Sequence, residues 1–164
     1  MATISINVRS PSINAVIRSL SRYANDLQRK ANELAKRLAE MGAVNVSLGY
    51  ARAIYNGTND ISVTVEQPDI NRYAIRASGE VVLFVEFGAG VTYGYGHPQA
   101  AEFGYGPGTY NPSSNNWSNP KGWWYAEGGQ SYHTYGNPPS MVMYNTAKDL
   151  EREIERVARE VFEA

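Results

Sequence analysis

Cysteine is missing from this chain of 164 residues. Its absence removes disulfides, thiolate nucleophiles and cysteine metal sites together, and fits folding in a reducing cytoplasm. Histidine is scarce, with His97 and His133 the whole supply. A zinc site would therefore need both to converge with Glu86, Glu102 or Glu127, since no His-Glu-x-x-His helix is present. Neither sign of charge dominates: 15 basic against 16 acidic residues leave a net charge of -1. No global field recruits nucleic acid or an anionic membrane, and any binding is local. No window approaches the ~20 apolar residues of a membrane helix. The opening Met-Ala-Thr-Ile-Ser-Ile-Asn-Val lacks the basic start and apolar run of a signal peptide. The expectation is a soluble protein made without a cleavable leader. Gly-x-Ser-x-Gly is absent, and the glycines from Gly88 to Gly108 do not form a strand-to-helix phosphate cradle. Neither hydrolysis nor nucleotide chemistry has a motif behind it, and the expectation is no enzymatic activity, no metal and no cofactor.

What is present suits one domain covering residues 1–164. Thr3 to Val8 alternates Ile4, Ile6 and Val8 with polar residues and reads as a short strand. Ser10-Pro11 then supplies a helix start. Ile13, Val16, Ile17, Leu20, Ala24, Leu27, Ala31, Leu34, Leu38 and Met41 recur every three or four residues, so the spacing predicts a helix from Pro11 to Met41, with Gly42 placed to end it. Such a helix spans about 45 Å, long enough for part of it to project or be gripped by a neighbouring subunit. Val44, Val46, Leu48 and Tyr50 alternate, as do Ile61, Val63 and Val65, and Asn56-Gly57 between them predicts a hairpin. Arg72 to Ala77 and Glu80 to Phe87 form a second candidate pair around Ser78-Gly79. Its second member, apolar on both faces, belongs at a centre or under another chain. Met143, Ala147, Leu150, Ile154, Val157 and Val161 predict a final helix, with Glu155–Arg159 and Arg156–Glu160 as outer pairs. The fold class is α+β: a small antiparallel sheet packed against a long N-terminal helix and a C-terminal helix.

From Gly88 to Pro139 these periodicities stop. Residues 93–137 read as an extended loop insertion carrying Tyr93, Tyr95, Phe103, Tyr105, Tyr110, Trp117, Trp123, Trp124, Tyr125, Tyr132 and Tyr135. That is too aromatic for a linker. Two readings stay open: rings packing the loop on its own sheet, or a contact surface, since tyrosine and tryptophan give large area at low side-chain entropy. Glu86, inside an apolar run, needs a partner. Arg72 or Arg76 across the sheet would serve, or a subunit boundary; a general acid working with Glu102 or Glu127 is the enzymatic alternative.

Phe-Val-Glu-Phe-Gly-Ala-Gly (84–90), His-Pro (97–98), Gly-Tyr-Gly-Pro-Gly-Thr-Tyr (104–110), Gly-Trp-Trp-Tyr (122–125) and Gly-Asn-Pro-Pro-Ser-Met-Val-Met-Tyr-Asn-Thr-Ala (136–147) together resemble the neck or tail-completion proteins of tailed bacteriophages. These are the minor tail components and head-tail joining proteins. The likeness covers residues 81–161 best. Where many relatives carry a Pro-Phe-aromatic anchor, Ser140-Met141-Val142-Met143-Tyr144 stands here. The resemblance implies a structural virion protein without enzymatic activity or cofactor, assembled in the bacterial host cytoplasm. It would form a homo-oligomeric ring, a hexamer or dodecamer, in the head-tail connector. Its partners would be portal, adaptor or head-closure proteins and tail-terminator or tail-tube proteins, with DNA passing through the lumen and no membrane. Glu86, Phe87 and the eleven loop aromatics named above are the expected interface. A tail terminator or a head-closure protein is the alternative within that class, and a carbohydrate-binding module using the aromatic loop is the alternative outside it.

Overall fold

A computed structural model describes residues 4–5, 10–53, 59–90, 96–104 and 119–163. Helix α1 (Ser10–Arg52) begins where the Ser-Pro signal places it and runs for 43 residues, about 64 Å. It does not stop at Gly42. The segment expected as a strand, Val44 to Tyr50, continues the helix instead. The reason lies in what packs there. A Cβ on Gly42 would run into Ile75 and Leu150, and one on Gly49, two turns later, would lie 2.5 Å from Val142 Cγ1. Both glycines therefore allow close approach rather than a helix end. Along this stretch Val46 and Tyr50, four apart, are buried, while Val44 and Leu48 face solvent. The alternation that suggested a strand has only its helical subset inside.

The expected partner of that segment pairs elsewhere. Strand β1 (Ser62–Asp69) forms an antiparallel hairpin with β2 (Arg72–Ser78), with Val65 opposite Ile75 and Ser62 opposite Ser78. The turn residue Asn71 is left-handed at φ 60°, a conformation asparagine tolerates. Its N–H donates to Asn32 Oδ1 of α1 at 3.2 Å. Asn56-Gly57 lies outside the described residues. So does most of the expected first strand: of Thr3 to Val8 only Ile4 and Ser5 are described, and neither is in a strand.

Glu80 to Phe87 is not β2's partner. After Gly79 the chain enters a short helix, α2 (Val82–Phe87). Asp60 accepts from the N–H groups of Glu80 and Val81 at 2.6 and 3.3 Å, holding the approach to that helix. These two bonds, the Glu80 one foremost, pull the Asp60 carboxyl below its ordinary range. An apolar run of this length suits a buried strand or a buried helical turn equally, and the core decides. Val85 joins Val46, Tyr50 and Val142 as the centre of that core, with Ile61, Val63, Ile75 and Ala77 of the hairpin side packed on it.

The last helix, α3 (Val142–Phe162), runs antiparallel along α1. Val142 sits at Gly49, Leu150 at Gly42, and the Phe162 carbonyl accepts from Lys30 Nζ at 3.0 Å. Arg156–Glu160 and Arg159–Glu155 pair on its outer face, as their spacing predicts. Among the described residues the architecture is α+β, with two long helices, the short α2 and two separate two-stranded antiparallel sheets in place of one. Among the described residues no helix is long and apolar enough to cross a membrane.

Candidate contact surface and its anchor

The second sheet lies in the region expected to be irregular. Strand β3 (Trp123–Glu127) pairs with β4 (Gln130–Thr134), joined by Gly128-Gly129 with φ 59° and 80°. Two left-handed residues in a two-residue loop match strand twist, which is why a glycine pair suits this position. The signal was present as Trp-Trp-Tyr and Ser-Tyr-His around Gly-Gly, but the surrounding glycine and proline obscured it.

The pleat sorts the rings onto two faces. On one, Trp124 sits opposite His133 with ring centroids 5.1 Å apart, and His133 meets Tyr135 edge-on at 4.9 Å. This face is open: Trp124 is 68% exposed and Tyr135 51%. On the other face Tyr125 stacks on Tyr132 at 5.6 Å, and Trp123, half-buried, rests against Gly90. His133 Nε2 lies 3.0 Å from the Lys121 carbonyl. An isolated two-stranded sheet is marginal alone, and the connection of this one to the body is therefore decisive.

That connection centres on Glu86. The segment Gly136 to Met141 folds back along residues 84–90: Ala89 and Asn137 exchange backbone bonds at 3.0 and 3.1 Å, Asn137 Nδ2 donates to the Phe84 carbonyl, and Ser140 and Met141 N–H donate to the carbonyls of Val85 and Glu86. Gly88 turns the chain at φ 73°, where a Cβ would lie 2.6 Å from Pro139 N. Only glycine fits both the angle and the space. Glu86 itself is 5% exposed. Its Oε2 accepts from the Tyr50 hydroxyl at 2.9 Å and from Met143 N–H at 3.0 Å, and its Oε1 accepts from Tyr144 N–H at 3.1 Å and meets His97 Nε2 at 3.2 Å. Gln99 N–H donates to His97 Nδ1, which assigns the ring proton to Nε2 and makes that nitrogen the donor to Glu86. The carboxylate thus satisfies orphan donors at the N-terminus of α3, whose own capping residue, Met141, offers no side-chain bond. Burial, and then the Glu86 charge beside it, pushes the Tyr50 phenol far above its ordinary range, so it remains a donor.

Neither arginine expected for Glu86 reaches it. Arg76 pairs with Glu66 at 2.7 Å, and the helical course of α2 takes Glu86 out of any ladder with β2. All the accepting positions of Glu86 face donors of this chain, so no open position is left for a substrate proton. Among the described residues no three His, Asp or Glu side chains gather as a metal site would require.

The expected interface residues separate into three groups. Glu86 and Phe87 are enclosed by this chain's own residues; Phe87 packs on His97, with ring centroids 4.1 Å apart, and on Phe103 at 5.4 Å. Phe103, Trp124, Tyr132 and Tyr135 are exposed, and Trp123 and Tyr125 are half-buried. Tyr93, Tyr95, Tyr105, Tyr110 and Trp117 lie outside the described residues. Tyr50 and Asn137, which hold the site together, carry no sequence signal that marks them. Set against known proteins, the chain matches no family model, no curated protein and no solved structure.

Proposed function

We propose that this protein is a structural component without enzymatic activity that works by assembling into a homo-oligomeric ring in the head-tail connector of a tailed bacteriophage. The observation that carries the assembly part is the open ring face of Trp124, His133 and Tyr135, held on a hairpin that is pinned firmly to the body. Exposed tryptophan and tyrosine clusters on an ordered support are what binding surfaces use. The phage part rests on the resemblance in residues 84–90, 122–125 and 136–147.

The test is the mass of the purified protein by light scattering over a range of concentrations, alone and with portal, head-closure and tail-terminator proteins of tailed phages. Rings, or a small species that becomes a ring with such a partner, support the reading. A protein that ignores those partners but binds soluble oligosaccharides, with quenching of tryptophan fluorescence, would replace it with the sugar-binding alternative, which the 68% exposure of Trp124 favours.

A further inference from the structure

Ile13, Ile17, Leu20, Ala24, Leu27, Ala31, Leu34, Leu38 and Met41 alternate steps of four and three without a break. That is the seam of a helix paired along its length. Helix α3 fills the seam only from Lys30 upward, because its last residue, Phe162, lies at that level. Below Lys30 the seam continues for about five more turns. There Ile17 is 55% exposed, Leu20 51% and Tyr23 69%, with Ile13 and Leu27 also open.

We propose that a second copy of this chain completes the seam, the two α1 helices lying antiparallel over residues 13–27 as a two-fold pair. Four observations support that occupant. The first is continuity: an antiparallel copy runs in the same direction as α3 and follows it end to end, so α1 is covered along its whole length. The carbonyl end of α3 then meets the amide end of the incoming helix, opposite ends of two dipoles. The second is register. Antiparallel seams place the two kinds of core position opposite each other. Setting Ile17 against the partner's Leu20, and Ile13 against the partner's Ala24, brings the partner's Ser10 level with Leu27, just short of α3. The next register, one heptad on, would drive it to Leu34 and into α3. The end of α3 therefore selects one register.

The third is charge. The positions flanking this stretch of seam are Asn14, Ser21 and Gln28 on one side and Val16, Tyr23 and Lys30 on the other, with Lys30 bonded to the Phe162 carbonyl at the end of α3. Two copies meet there without like charges, while Arg18, Arg22 and the Asp26–Arg29 pair lie farther round the helix. The fourth is area. Five side chains of roughly 200 Å² each, half uncovered, give roughly 500 Å² per chain and roughly 1,000 Å² per pair, the lower bound of a specific interface. The pair is closed, leaves the aromatic hairpin free, and does not depend on the connector reading.

Sedimentation of the full chain over a concentration series tests it. The expected result is conversion from 18.1 kDa to twice that mass, with Ile17→Asp/Leu20→Asp staying at the single-chain mass while still unfolding cooperatively, at a midpoint that, unlike the wild type's, does not rise with protein concentration. If larger rings form, Trp124→Ala should reduce them to the pair; reduction to single chains would overturn the proposal, as would a single-chain mass for the wild type throughout. Orientation is read separately from an oxidised equimolar mixture of Ile17→Cys and Leu20→Cys chains, in a background that has no other cysteine. Antiparallel pairing predicts a 17–20 disulfide exceeding like-with-like products on the order of tenfold, since only that pair comes within bonding distance. Dominant 17–17 and 20–20 products would mean parallel helices and sink the proposal.

Discussion

At the scale of single residues, Glu86 shows how a buried carboxylate is kept. Four donors from three distant parts of the chain converge on it: Tyr50, His97, and the backbone of Met143 and Tyr144. A glutamine would present an amide N–H₂ to some of those donors and remove the charge that faces the α3 amides. Glu86→Gln should therefore cost about 3 kcal/mol, measured by urea unfolding, and lower the thermal midpoint by about 10 °C. Tyr50 gives a pH signature. Below pH 10 its phenol is protonated in both folded and unfolded chains; above it the unfolded chain loses the proton while the folded chain, where the phenol is buried beside Glu86, holds it. Folded-state affinity for the proton is the higher, so stability falls as pH rises past 10. Urea midpoints between pH 8 and pH 11 should fall more steeply in wild type than in Tyr50→Phe, which itself should lose about 1 to 2 kcal/mol at neutral pH.

At the scale of elements, Gly42 and Gly49 decide the course of α1. In an exposed helix interior, glycine to alanine gains roughly 0.5 to 1 kcal/mol. Here Gly49→Ala should lose about 1 kcal/mol instead, because the added methyl meets the branched Val142 side chain at 2.5 Å and overpacking costs more than the backbone gains. Chemical denaturation gives the sign directly. The same glycines mark where sequence reading failed. The start of α1 was legible from Ser10-Pro11, and its apolar stripe, β1, β2 and α3 were legible because each follows a period that its own residues display. Gly42 read as a helix end because a glycine that permits close approach looks the same as one that caps, and the difference lies in Ile75 and Leu150, far along the chain. Val81 to Phe87 carried no period, so only the core around Val85 could distinguish a helix from a strand.

At the scale of the whole molecule, the described aromatic residues divide into those that hold the chain together and those that face outward. Trp123→Ala should destabilise folding by about 2 kcal/mol, since its half-buried ring rests on Gly90. Trp124→Ala should stay within about 0.5 kcal/mol of wild type in thermal unfolding yet weaken assembly measured by light scattering. Equal effects of both substitutions on folding would make the outer ring part of the core. The sequence showed that residues 93–137 are rich in aromatics but could not make this division, because the partners of Trp123 and Glu86 are backbone groups and rings brought in by folding. For Glu86 it offered an arginine, the partner a strand would have given it, or a subunit boundary.

The pairing of α1 with α3 has a consequence for biosynthesis. About 90 residues separate the end of α1 at Arg52 from the start of α3 at Val142, which at 5 to 20 residues per second means about 5 to 20 s on the ribosome. For that interval the upper seam of α1 is as bare as its lower half, and a helix of 43 residues with an apolar stripe is a ready ligand for chaperones or for a neighbouring nascent chain. A polysome making this protein would hold several such helices at once, so the pairing of α1 helices proposed above would begin before any chain is finished.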